Sequence, residues 1–162
     1  MKKLLGTVLF ICALFSAAAI RAQDQNTKDE KILKDYFAKN HIKATRTPSG
    51  LYYVITKKGT GENAKPGIPV SMNYMGKFLD GRIFDANIDE KYQSIPGKAP
   101  FSFILGTGQV IPGWDEGVQL LNKGSRATFY LPSALGYGAQ AIGPIPPNSV
   151  LVFDVEVVSI GN

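Results

Sequence analysis

The sequence predicts an α+β fold in which an antiparallel sheet packs on one short helix, with a further short helix ahead of it. Three observations carry this. Two segments alternate apolar and polar residues with the period of a half-buried strand: Val70, Met72, Tyr74 and Phe78 oppose Ser71, Asn73 and Lys77, and Leu151, Phe153, Val155 and Val157 oppose Asp154 and Glu156. One stretch, Pro112 to Leu121, places Trp114, Val118 and Leu121 at i, i+4 and i+7, the spacing of a helix face. Finally, 17 Gly and 10 Pro punctuate short apolar runs, which speaks for many turns and against an all-helical chain.

The elements follow in chain order. Met1-Lys2-Lys3, an apolar run from Leu4 to Phe15 and the small residues of Ser16 to Ala22 read as an export signal over 1–22, cleaved after Ala19 or Ala22. The run is short for a bilayer span, so no stable membrane span is expected once it is removed, and the mature chain is expected in the periplasm or cell envelope. Cys12 is the only cysteine and follows Ile11 rather than a small residue, which argues against a lipid-modified cysteine and leaves the mature chain without any thiol. Over 23–47 a helical extension is expected, with Ile32, Leu33, Tyr36 and Phe37 on one face of a helix from about Lys28 to Asn40. It suits a cap packed on the main domain better than a dimerisation arm, being too short for a coiled coil alone.

The main domain is expected over 48–162. Strands are predicted at Leu51 to Thr56, Val70 to Leu79, Arg82 to Asp85, Phe101 to Leu105, Ser125 to Leu131 and Val150 to Ile160, and the second and last, which alternate clearly, are expected to bury only one face. In the helix from Pro112, Asp115 and Glu116 sit where the dipole favours anions, and Gly124 follows as a stop.

Composition excludes most chemistries. The 162 residues carry 18 Lys plus Arg against 13 Asp plus Glu; without Lys2, Lys3 and Arg21 the cations number 15 and the excess falls to about +2. With no basic run interleaved with aromatics, nucleic acid is not an expected partner. The single histidine, His41, lies ahead of the main domain, so no Ser-His-Asp arrangement is expected; one His and no mature Cys leave no metal site, and no cofactor is implied. Gly59-Thr60-Gly61 and Gly106-Thr107-Gly108 lack the rest of a dinucleotide or P-loop motif and read as turns.

What remains is a set of aromatic and aliphatic residues near turns, with Asp85 beside Phe84. The run Val70 to Asp85, then Phe101 to Gly106, Val110-Ile111-Pro112-Gly113-Trp114-Asp115-Glu116-Gly117, Leu135-Gly136-Tyr137-Gly138 and Ile145 to Glu156, in that order, resembles the FKBP-type peptidyl-prolyl cis-trans isomerases. The resemblance implies a half-open antiparallel β-sheet wrapped around one short α-helix, with a hydrophobic pocket between them. Carried over residue by residue, it implies Trp114 as the pocket floor and Phe101, Val110, Ile111, Ile145 and Phe153 as substrate-binding walls. It also implies catalytic roles for Tyr74, Phe84, Asp85 and Tyr137, with the Ile111 N–H and the Tyr137 hydroxyl meeting substrate carbonyls. It further implies proline-containing polypeptide clients, an isomerase acting on exported proteins, and inhibition by macrolides of the tacrolimus and rapamycin type. A periplasmic chaperone or binding module using the same pocket is the alternative, favoured if the N-terminal helix exposes an apolar surface. Two departures stand out: the segment from Ala86 to Ala99 is longer than in a minimal family domain and holds no Arg to accompany Asp85, and Ala139 to Pro144 is slightly short, with Ala141 and Ile142 where a His or aromatic is sometimes found.

Overall fold

In a computed structural model, residues 2–161 are described, with side chains over 21–161. The expected leader over 1–22 therefore lies almost wholly outside the described side chains. Among the described residues no helix is long and apolar enough to cross a membrane.

Helix α1 runs Lys2–Asn40, far longer than the 28–40 expected. No Pro precedes Pro48, so nothing in the sequence interrupts the helix between the leader and the amphipathic stretch. It ends where His41 turns left-handed (φ 55) and the Ile42 N–H reaches back to the Phe37 carbonyl at 3.0 Å, closing the last turn.

The sheet is antiparallel throughout. Its strands β1 (Thr45–Arg46), β2 (Tyr52–Lys57), β4 (Pro69–Lys77), β5 (Ile83–Ala86), β8 (Arg126–Leu131) and β9 (Leu151–Ile160) lie in the order β1-β2-β8-β9-β4-β5, and β6 (Phe101–Ile104) also pairs with β4. Two short strands absent from the sequence reading, β3 (Thr60–Asn63) and β7 (Asn122–Lys123), form a separate ribbon. They hold no apolar side chain, and all but the half-buried Asn122 are exposed, so no alternation marks them.

The sheet curls around α2 (Pro112–Gly117), which continues as a 3₁₀ turn over Val118–Leu120. The expected helix to Leu121 is thus cut short: Leu121 is extended (φ −114, ψ 151), yet still fully buried. Its side chain reaches the core because the chain turns there, not because it occupies the helix face. The inner core joins Trp114 and Val118 to Val70, Met72, Phe103, Phe129, Leu131, Phe153 and Val155.

The expectation that the strands bury one face fails on the outer side. Leu33 and Phe37 of α1 pack on Tyr52, Tyr130, Val150 and Val152, and the Phe37 ring meets Tyr52 and Tyr130 edge-on at 5.0 and 4.9 Å. Ile32, by contrast, is 45% exposed. The outer positions Tyr130 of β8 and Val152 of β9 do not face water because a helix supplied from the other end of the chain covers them. A third, smaller cluster sets Met75 against Ala86 and Ile88, so the long segment after β5 packs on the sheet.

Candidate functional site

Three local arrangements build the site. At the start of α2, Ile111 is the N-cap residue with an extended backbone (φ −59, ψ 148), and Pro112 takes the first helical position, where a missing N–H costs nothing. Asp115 does more than complement the dipole. Its two carboxylate oxygens accept from the N–H groups of Gly106 and Gly108, both at 2.9 Å, fixing the loop that delivers Val110 and Ile111.

The second arrangement is aromatic. Trp114 is nearly fully buried, and its ring stands edge-on to Phe153 at 5.4 Å and to Tyr74 at 5.3 Å, with Phe101 at 6.2 Å. Phe84 stands edge-on to Phe153 at 5.6 Å. Such geometry sets the positive ring edges against negative faces and locks the walls. The indole Nε1–H of Trp114 is buried without a hydrogen-bond partner.

The third is the loop after β5. Buried Asn87 accepts from the Tyr74 N–H at 2.7 Å and donates to the carbonyls of Met72 and Ala99, each at 3.1 Å. One side chain thereby replaces ladder bonds and ties both ends of the loop to β4. Tyr92 lies under the Arg126 guanidinium at 4.2 Å. The enlarged loop is therefore a built part of the domain, and it returns Lys98 to the site. Lys98 Nζ donates to the Ala86 carbonyl at 2.7 Å and approaches Asp85 Oδ1 at 3.5 Å.

Together these elements enclose a cleft of about 640 Å³. All ten residues singled out from the sequence line it: Tyr74, Phe84, Asp85, Phe101, Val110, Ile111, Trp114, Tyr137, Ile145 and Phe153. Gln109, Ile142, Gly143 and Pro144 complete the lining. Of these, Ile142 was visible as a departure from the family pattern, whereas Gln109, Gly143 and Pro144 carried no signal beyond lying next to predicted residues. Lys98 was missed because a Lys thirteen residues after Asp85 signals nothing until the loop folds back. His41 is exposed and does not line the cleft. Among the described residues no group of three or more His, Cys, Asp or Glu is placed to hold a metal ion.

The polar groups of the cleft are few and distinct. The Tyr74 hydroxyl donates to Asp85 Oδ2 at 2.5 Å. Burial, and then the Asp85 carboxylate that accepts its proton bond, push the Tyr74 phenol well above its ordinary range. Burial, then the Asp85 charge, also raise the Tyr137 phenol. Both tyrosines are therefore neutral hydroxyls at physiological pH. Tyr74 is committed to Asp85, while neither the Tyr137 hydroxyl nor the Ile111 N–H has a hydrogen-bond partner among the described residues. An apolar cleft that carries unpaired donors at the Tyr137 hydroxyl and the Ile111 N–H, with one carboxylate at its mouth, suits a ligand with an apolar ring and exposed carbonyls.

Comparison with known proteins gives the same direction. A model of the FKBP-type peptidyl-prolyl cis-trans isomerase family matches residues 60–158. A probable FKBP-type isomerase FkpA of Neisseria meningitidis is 45% identical over 141 residues, 86% of this chain and 48% of that protein. The FkpA of Aeromonas hydrophila is 42% identical over 142 residues, 86% of this chain and 50% of its own. The chain thus spans about half the length of these curated relatives. The crystal structure of Escherichia coli FkpA superposes with a TM-score of 0.68 at 32% identity, covering 94% of this chain and 68% of that one. A peptidyl-prolyl cis-trans isomerase from Pseudomonas syringae superposes at 0.66 with 26% identity, covering 84% and 96%.

Proposed function

The chain belongs to the FKBP-type peptidyl-prolyl cis-trans isomerases, and from that membership we propose that it accelerates rotation about Xaa-Pro bonds in exported polypeptides. The observation that carries the reading is the convergence of the ten residues on one apolar cleft whose free donors include the Ile111 N–H and the Tyr137 hydroxyl.

Rotation about an Xaa-Pro bond breaks no covalent bond, so the reaction calls on no nucleophile. The barrier is roughly 18–20 kcal/mol because the nitrogen lone pair conjugates with the carbonyl. At the twisted transition state that conjugation is lost and the amide is less dipolar. A cleft walled by Phe84, Phe101, Ile145 and Phe153 favours the twisted amide over the planar one, which water solvates better. The proline ring sits on the Trp114 indole, and the two donors take the flanking carbonyls, so the peptide is held on both sides of the bond that turns. Asp85, kept in place by Tyr74 and Lys98, presents negative charge at the mouth, where it interacts with the amide dipole as it rotates.

The signal over 1–22 supports action in the periplasm or cell envelope, and N-terminal sequencing of the envelope fraction tests it: a mature start near Gln23 is expected, and full-length protein in the cytosol would sink it. The reading of the chain as primarily a chaperone gains little from α1, since of the four apolar residues on its expected face Ile32 alone is exposed. A protease-free assay with a proline peptide tests the main proposal. Catalysed exchange that requires the cleft residues is expected; an uncatalysed rate at micromolar protein would refute it.

A further inference from the structure

Asp29 is the most deeply buried charged side chain among the described residues, wholly inaccessible, and it lies on α1, outside the cleft. It continues the buried stripe of that helix, since Asp29, Leu33 and Phe37 are spaced at i, i+4 and i+8. It pairs with no cation among the described residues; its partners are hydrogen-bond donors. Oδ2 accepts from the Ser133 N–H at 2.8 Å and from the Ser133 hydroxyl at 2.6 Å, and Oδ1 accepts from the Gln25 side-chain amide at 2.7 Å. A carboxylate taken out of water is tolerable only when its oxygens are satisfied in this way.

Ser133 is not an incidental partner. It opens the 3₁₀ turn Ser133–Leu135, and its carbonyl accepts from the N–H groups of Gly136 at 3.0 Å and Gly138 at 2.8 Å. Tyr137 is held between those two glycines. The Gly138 carbonyl in turn accepts from the Asn148 N–H at 2.7 Å, closing the base of the loop that carries Ile142 and Ile145. A continuous line of hydrogen bonds therefore runs from α1 to the backbone that aims the Tyr137 hydroxyl into the cleft.

We infer that Asp29 is a positioning residue for the isomerase site: from the N-terminal helix it fixes the Ser133 turn and through it Tyr137. This rests on the isomerase reading, and it places part of the catalytic apparatus in a segment that the sequence alone assigns to a separate extension. Removal of the carboxylate leaves the Ser133 N–H and hydroxyl without acceptors in a dry site, and the turn shifts to recover them. An amide oxygen at the same place still accepts from Ser133, so Asp29→Asn is the rescuing variant.

The test has two arms, both on the full chain. In the first, amide hydrogen exchange is followed at Gly138, with Ala127 of β8, flanked by Ile55 and Val155 on the two neighbouring strands, as the reference for global opening. Asp29→Ala is expected to speed Gly138 exchange at least about tenfold relative to Ala127, and Asp29→Asn to leave it near wild type. In the second, kcat/KM is measured for Asp29→Ala, Tyr137→Phe and the double variant. Asp29→Ala alone is expected to lose roughly tenfold, with less than about a twofold further loss when Tyr137→Phe is already present, because both changes strike one contact. If Asp29→Ala does not fold, Ser133→Ala, which deletes one of the two bonds, enters both arms. Unchanged Gly138 exchange, or losses that multiply fully in the double variant, overturns the inference. A wild-type chain with no isomerase activity refutes the proposed function instead, and the exchange arm then decides the positioning by itself.

Discussion

The Tyr74 hydroxyl and the Asp85 Oδ2 lie 2.5 Å apart, tying the middle of β4 to β5 across the mouth of the cleft. The bond settles which of two tyrosines is free: Tyr74 is spent on orienting the acid, and the Tyr137 hydroxyl is left in the cleft without a partner among the described residues. Removing the acid by Asp85→Ala therefore deletes its charge and strands the Tyr74 hydroxyl together. We expect kcat/KM to fall about tenfold, some 1.4 kcal/mol of transition-state stabilisation. Lys98→Ala should change it by less than about threefold, since the ion pair it removes is exposed on both sides and such pairs contribute little. Steady-state rates on one peptide check both. Equal losses would show that the cation, not the acid, sets the local field.

Gly76 predicts a second outcome. A Cβ there would stand 2.5 Å from Phe84 Cε2 and 2.8 Å from Phe153 Cε1, so the backbone of β4 approaches two cleft walls more closely than any side chain permits. Gly76→Ala should cost about 1–3 kcal/mol of stability by overpacking and displace the Phe84 ring. Phe84→Ala, which opens the same wall, should lower kcat/KM roughly a hundredfold. Thermal melts and rates together check the pair; a Gly76→Ala protein with native activity would mean the Phe84 position is immaterial.

Macrolides of the tacrolimus and rapamycin type are expected to compete with substrate. Their pipecolinyl ring is a proline analogue, and the Trp114 indole lies at the floor with the Ile111 N–H and Tyr137 hydroxyl free to take carbonyls. Trp114 is the only tryptophan, so its fluorescence reports occupancy directly. No change in emission or in isomerase rate at saturation would count against this cleft as the ligand site.

Tyr130, on the outer face of the sheet beneath α1, carries a pH prediction. Burial, then the neighbouring Tyr36 and Asp154, push its phenol up to about 12. A pKa raised in this way means that the folded state keeps the proton the unfolded chain gives up near pH 10. Its contribution is therefore full below about pH 10 and is lost as pH rises from there toward 12. Denaturant midpoints measured across that range should fall for the wild type and fall less for Tyr130→Phe. Identical slopes would place the alkaline transition elsewhere.

The sequence by itself determined the sheet, the short helix and the cleft. Period-two alternation marks β4 and β9 because one face of each strand meets the core, and the Trp114–Val118 pair marks α2 because one turn of helix meets that same face. The ordered motifs did the rest, since the family resemblance they carry implied Phe84, Trp114, Tyr137 and Phe153 as parts of one pocket, and these residues line the cleft. What only the tertiary structure decided are the relationships between residues with no local reason to meet. Lys98 reaches Asp85 because Asn87 ties both ends of a long loop to β4. Tyr52, Tyr130 and Val152 on the outer faces of β2, β8 and β9 are buried because Leu33 and Phe37 arrive from α1. Asp29 looks like a solvent-facing helical acid and is instead sealed against Ser133, 104 residues away. Periodicity reports the environment a residue shares with its own element; a hydrogen bond between distant segments leaves no period, and only folding brings its two ends together.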